Sequence, residues 1–232
     1  MYTVTKPARW AATGVLVSLA CAGCAGTVDE DASIKALQAA PPCCGSLANL
    51  HYEELPASKD VSFSIQVGDG PFDFGTDGKS YYRAFRLPAS SDDYAIFLSA
   101  QYMVENAAVS FHSYFFYPVM TLLDASMHAL AETSVDDLRL RKGEFGANDY
   151  LQVAFTVKPS MGARYLVVHT PEDNLGKAKT FSYTIGPEVY VVGNISTVTP
   201  PGTQLVEYPG VPVALGNSLE IALQPVQSES SR

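Results

Sequence analysis

The chain has 232 residues, a formal net charge of −9, 47% hydrophobic and 11% aromatic residues. That length allows one sizeable hydrophobic core or a core with small additions. So acidic a chain repels phosphate backbones and anionic headgroups, which excludes nucleic acid as a partner and electrostatic docking on lipid.

The first 26 residues read MYTVTKPARW AATGVLVSLA CAGCAG. Lys6 and Arg9 make a positive start, and Trp10 to Ala20 form an uncharged apolar stretch. The stretch is shorter than the about 20 residues a spanning helix needs, and the whole has the form of a secretory signal. Its small residues run directly into cysteine, the pattern of a lipoprotein signal. Cys24, preceded by Ala22 and Gly23, is the expected site of lipid attachment; Cys21, preceded by Ser18, Leu19 and Ala20, is the alternative. A plain secretory signal cut near Ala25 is the third reading. Neither cysteine is followed by Asp, which favours the periplasmic side of the outer membrane. The expected organisation is therefore a signal peptide (1–23), a tether (24–35), a folded domain (36–225) and a disordered tail (226–232). Cleavage would remove Lys6, Arg9 and the only tryptophan, Trp10, taking the net charge from −9 to −11.

Ile34 to Ala40 can form one or two helical turns, stopped by Pro41 and Pro42. Cys43 and Cys44 follow. Export favours oxidation, but adjacent cysteines cannot staple distant segments, so the expectation is two thiols buried at the domain edge. They lack the spacing of a zinc site.

From there the pattern is β. Val61, Phe63, Ile65 and Val67 alternate with Ser62, Ser64 and Gln66, the period of a half-buried strand. Further strands are expected in 80–88, 93–104, 109–124 (broken at Pro118), 149–157, 163–170, 180–185 and 218–223. Clusters of Gly, Pro, Asp and Asn separate them, and 171–179 can hold a helical turn. Many short strands punctuated by turns predict an all-β chain, a β-sandwich such as a jelly-roll, with a short N-terminal helical turn; the strand opening at GKSYYRAFRLP (78–88) resembles that of the pre-peptidase C-terminal β-sandwich.

Signatures of catalysis are missing: no G-x-S-x-G, S-x-x-K or H-E-x-x-H, and no glycine loop for phosphate. His51, His112, His128 and His169 are far apart in sequence. No catalytic residue, metal or cofactor is assigned. A hydrolase whose triad assembles only in space would need an exposed Ser or Asp near His112 or His169. Asp69, Asp73 and Asp77 in GDGPFDFGTDGKS do not follow a calcium-loop spacing and read as turn-capping residues. Asp136, Asp137, Arg139, Arg141 and Lys142 read as a solvated strand or loop.

The most unusual composition is Phe111, Tyr114, Phe115, Phe116, Tyr117, Pro118. Strict alternation would put aromatic rings on both faces of this strand, so at least one face must be covered. Core packing is the favoured reading. The other is a platform on which a sugar ring stacks, with Tyr114 and Phe116, joined by Tyr81 and Tyr82, as candidate ligand-binding residues.

CCGSLANLHYEELP (43–56), FDFGTDGKSYYRAFRLP (72–88), FFYPVMTLLDASM (115–127) and ARYLVVHTP (163–171) resemble, in order, segments of the maltose operon periplasmic protein family (MalM), and GNSLEIAL (216–223) fits the end of its domain. The resemblance covers roughly residues 36–223. It implies a role in periplasmic carbohydrate uptake and brings no catalytic residues. The combined expectation is a non-enzymatic, lipid-anchored envelope protein. It would be an accessory or binding protein of maltose or maltodextrin transport, partnered by the membrane and by an oligosaccharide or an envelope protein. The alternative is a structural or protein-interaction module.

Overall fold

A computed structural model describes residues 29–104, 113–143, 148–185, 188–192, 195–199 and 202–226. The signal peptide with Cys21 and Cys24, Phe111, His112 and residues 227–232 of the expected tail lie outside the described residues. No helix among the described residues is long and apolar enough to cross a membrane.

The chain opens with helix α1 (Glu30–Ala39), followed by β1 (Tyr52–Glu54), β2 (Val61–Ile65), β3 (Phe72–Asp73), β4 (Lys79–Ser80), β5 (Tyr82–Arg86) and β6 (Tyr94–Gln101). Next come β7 (Met103–Val104), β8 (Ser113–Tyr114), β9 (Val119–Leu123), β10 (Ala129–Glu132), β11 (Arg139–Arg141), β12 (Tyr150–Val157) and β13 (Tyr165–His169). The series ends with β14 (Ala178–Ile185), β15 (Glu188–Val192), β16 (Ile195–Thr199), β17 (Gly202–Pro209) and β18 (Ala214–Pro225).

α1 starts inside the segment expected to be a tether. The cause is local: Asp29 caps the helix by accepting a 2.9 Å hydrogen bond from the Ala32 amide, and Glu30 and Asp31 sit in the first turn, where the helix dipole favours negative charge. Leu37 anchors it in the core. Lys79 closes its far end, its ammonium donating to the carbonyls of Gln38 (2.6 Å) and Ala40 (2.9 Å).

Two five-stranded sheets make a sandwich-like all-β fold, as the alternation predicted. One has the order β1-β5-β13-β9-β10 and the other β11-β12-β6-β18-β2. β1 runs parallel to β5, and the remaining pairs in both sheets are antiparallel. The inward residues of the first sheet (Phe85, Met120, Leu122, Leu166, Val168) meet Phe63, Ile65, Ile96, Leu98, Leu151 and Ile221 of the second in one buried cluster. Phe63 and Phe85 touch across the interface edge to face, with centroids 5.2 Å apart. The stretch 171–179 contains a short 3-10 turn, Glu172–Asn174, where a helical turn was expected.

The described part of the aromatic run, Tyr114 to Tyr117, is core. β8 is only two residues long, and Phe115 then makes an isolated bridge to Gly210, so strict alternation stops at that point. Phe115, Phe116 and Tyr117 are fully buried and Tyr114 nearly so. The start of β14 and the end of β17 cover the run: Phe115 packs edge to face on Tyr208, and Tyr117 lies against Phe181. The Tyr117 hydroxyl donates to the Tyr208 carbonyl.

Cys43 and Cys44 form a vicinal disulfide instead of the expected pair of buried thiols. Cys43 is exposed, its amide held by the Pro71 carbonyl (2.7 Å), and only Cys44 packs on apolar neighbours.

Candidate functional site

The outer face of the first sheet carries a second apolar layer. Antiparallel register places Tyr82, His169 and Val119 side by side, then Ala84, Val167 and Thr121, then Arg86, Tyr165 and Leu123. Leu50, Phe72, Tyr82, Ala84, Leu123 and Val167 form a small buried cluster there, with Cys44, Leu47, Tyr52 and Phe74 packed against it. Two pieces of chain supply this cover: the segment 43–50 and the hairpin β3–β4.

The cover is incomplete and leaves a cleft of about 410 Å³, within the about 300–1,000 Å³ usual for small-molecule sites. Thr121, Leu123, Val167 and His169 line its floor, Ala129 and Glu132 one flank, and Phe72, Asp73, Phe74, Thr76 and Asp77 the other; Ser46 and Leu47 complete it.

The hairpin is shaped by its own residues. Phe72 pairs with Ser80 and Asp73 with Lys79, and a 3-10 turn, Gly75–Asp77, joins the strands. Asp73 caps that turn through the Gly75 amide (2.9 Å), the use expected of these aspartates. Gly78 follows at φ 75°, ψ −161°, a region essentially reserved for glycine. A Cβ there would come within 2.7 Å of Glu172 Cβ. That same glutamate accepts the Lys79 amide at 3.0 Å, so the hairpin is pinned to the segment after β13.

Asp77, expected to cap a turn, makes no turn-capping side-chain hydrogen bond among the described residues. Its Oδ2 lies 2.9 Å from Nε2 of His169, at the end of β13. The imidazole is 1% exposed and stacks on Phe74 with centroids 4.0 Å apart and an 11° angle between planes. The hydrogen bond from His169 holds the Asp77 carboxyl below its usual value of 3.8, outweighing the opposing effect of burial. His169 Nδ1 is buried and has no hydrogen-bond partner among the described residues. On the facing flank, Thr121 donates its hydroxyl to Glu132 Oε2 at 2.8 Å.

The cleft is therefore two-natured. Phe72, Phe74, Leu47, Leu123 and Val167 give apolar contact, while Asp73, Asp77 and Glu132 give acceptors, and neither Lys nor Arg lines it. Such a lining suits a neutral, hydroxyl-bearing ligand and repels an anion. Among the described residues no group of three or more His, Cys, Asp or Glu could hold a metal ion.

The four aromatic candidates lie elsewhere. Tyr114, Phe116 and Tyr81 are in the main core, and Tyr82, 7% exposed, lies in the cluster beneath the hairpin. The structure does not bring them together into an open platform, because the short β8 and the strands above it bury both sides of the run. Sequence reasoning named His169 and Asp77 separately and missed their contact; the hairpin's glycines were the available signal.

Residues 77–184 match the family model described as maltose operon periplasmic protein precursor (MalM). The chain thus resembles that family over β4 to β14 and the cleft residues Asp77, Thr121, Glu132 and His169. No curated protein and no solved structure matches the chain.

Proposed function

We propose, from the likeness of residues 77–184 to the maltose operon periplasmic protein family, that this chain is a non-enzymatic carbohydrate-binding accessory protein of the cell envelope. It acts in maltose or maltodextrin transport, on the periplasmic side of the outer membrane. The cleft between the β3–β4 hairpin and β10 is its binding site. The observation that carries this reading is the lining: aromatic and aliphatic surface beside three carboxylates, with no cationic side chain. Sugars present apolar C–H faces and hydroxyl edges, and a ligand of that kind satisfies both halves.

The test is a titration of the purified protein with maltodextrins, followed by amide shifts and tyrosine fluorescence. Shifts should gather at residues 72–78, Thr121, Glu132 and His169. No perturbation at millimolar sugar overturns the reading.

The same proposal places a lipid anchor at Cys24, or at Cys21, just ahead of α1. Metabolic labelling with palmitate should be lost in Cys24→Ala; loss only in Cys21→Ala moves the anchor, and no labelling at all removes it.

A second reading, a protein-interaction module, draws on the paired strands β14–β17 and β15–β16, two antiparallel ladders nested along one stretch of chain. A two-stranded ribbon is only marginally stable in water unless something covers it. The hydrolase reading finds its Asp beside His169, Asp77 at 2.9 Å, but has less support because no hydroxyl among the described residues is bonded to His169 Nδ1, and Thr121 donates its own to Glu132.

A further inference from the structure

The cleft has a neighbour. A second hollow, of about 340 Å³, is lined by Val119, Thr133, Ser134, Asp136, Asp173, Asn174 and Lys179, and shares Thr76, Asp77 and Glu132 with the first. The shared residues come from opposite sides: Thr76 and Asp77 from the hairpin turn, Glu132 from the end of β10. They form the boundary between the two hollows.

We infer that the two hollows are one groove with two subsites, which takes a linear neutral oligosaccharide across the Asp77–Glu132 boundary in preference to a single sugar. The inference rests on the carbohydrate reading above and names the length of ligand the site is built for.

Three observations carry it. First, the boundary carboxylates are only half used. Asp77 Oδ2 accepts from His169 and Glu132 Oε2 accepts from Thr121, leaving Asp77 Oδ1 and Glu132 Oε1 without a hydrogen-bond partner among the described residues. Two fixed acceptors on opposite walls suit a unit that presents hydroxyls to both sides, which is what the ring next to a glycosidic bond does.

Second, the two hollows differ in chemistry. The first has Phe72, Phe74, Leu123 and Val167 in its lining, whereas the second is mostly polar. A ligand filling both needs one ring seated by its apolar face and the next held by its hydroxyl edge. A chain of identical sugar rings meets both demands, because every ring has a face and an edge.

Third, the second hollow has a polar group to spare. Thr133 Oγ1 is taken by the Met120 amide, Ser134 Oγ by the Asp136 amide, and Lys179 is paired with Asp136. The half-buried Asn174 carboxamide has no side-chain hydrogen bond among the described residues, so it can both donate to and accept from a sugar hydroxyl. Its place in the 3-10 turn Glu172–Asn174 fixes it beside the glutamate that pins the hairpin.

The experiment is a calorimetric titration of the full chain with glucose, maltose, maltotriose and maltotetraose, repeated on Asn174→Ala with thermal unfolding as the folding control. Affinity should rise by about tenfold or more from glucose to maltose, whose two rings fill both subsites. Asn174→Ala should weaken maltose by about fivefold and glucose by less. Equal affinity across the series, or an equal loss for glucose and maltose in the variant, overturns the two-subsite groove and leaves the carbohydrate reading standing. Absence of binding by every member of the series overturns both. Should Asn174→Ala unfold, Asn174→Asp provides the second variant, with the same length-dependent loss expected.

Discussion

His169 Nε2 and Asp77 Oδ2 sit 2.9 Å apart, joining the end of β13 to the turn of the hairpin that walls the cleft, across 92 residues of chain. Phe74, stacked on the same imidazole, makes the contact two-sided: one residue of the hairpin fixes the ring's edge and another its face. The pair serves as a clasp that sets how far the hairpin stands off the sheet.

The clasp has a defined dependence on pH. The Asp77 carboxyl titrates below 3.8 in the folded protein, so folding favours the carboxylate. A depressed value contributes stability that is fully present above pH 3.8 and is lost as pH falls through the lower folded value. Asp77→Asn should cost about 1 kcal/mol at pH 7, a charged but partly solvated hydrogen bond. Denaturation of both forms from pH 7 to pH 2.5 should show the gap constant at first and closing below pH 3.8. A gap unchanged at pH 2.5 would show that the carboxylate is not what stabilises the hairpin.

Gly78 is the second control on the cleft. Alanine would have to hold φ 75° and ψ −161° and fit against Glu172. The strain is about 1–3 kcal/mol, read as a fall of about 2–4 °C in Tm for each kcal/mol. Because Asp77 and Lys79 flank it, Gly78→Ala should also weaken any ligand of the cleft. A variant with wild-type Tm and unaltered binding would refute this account of the turn.

What the sequence disclosed follows from the range of each cause. Period-two alternation in 61–67 and dense β-formers in 93–104 and 149–157 mark β2, β6 and β12, since half-burial is written in adjacent residues. β1, β10 and β11 are three or four residues long, too short for any period to show. The start of α1 was legible in the Asp29 cap followed by Glu30 and Asp31, yet the acidic composition read as a tether. The aromatic run favours core packing by its composition, and the chain that covers it, bridged through Gly210, lies 95 residues beyond Phe115. The cleft depends on pairs such as Asp77–His169 and Thr121–Glu132, which topology creates and no local spacing announces.

Since Phe116 is fully buried, its loss is a packing event before it is anything else. Phe116→Ala should cost about 3–5 kcal/mol through lost transfer energy and the cavity left behind. Urea unfolding should show a large fall in midpoint with little change in slope. A stable Phe116→Ala protein with impaired sugar binding would restore the aromatic platform that the structure argues against.

Tyr117 allows a test at the alkaline end. Its hydroxyl is buried and donates to the Tyr208 carbonyl at the end of β17, and burial pushes its pKa up from 10.0 to about 12. A value raised on folding contributes stability that is complete below pH 10 and is lost as pH climbs through about 12, because the unfolded chain then releases the proton that the folded one retains. Tyr117→Phe removes the hydroxyl and leaves its acceptor buried, at a cost of about 0.5–1.5 kcal/mol at pH 8. The wild-type advantage should hold to pH 10 and shrink beyond it, and absorbance titration should show one late-ionising tyrosine missing from the variant. If the two proteins lose stability in parallel between pH 9 and pH 12, the Tyr117 hydroxyl is not what ties β17 to the aromatic core.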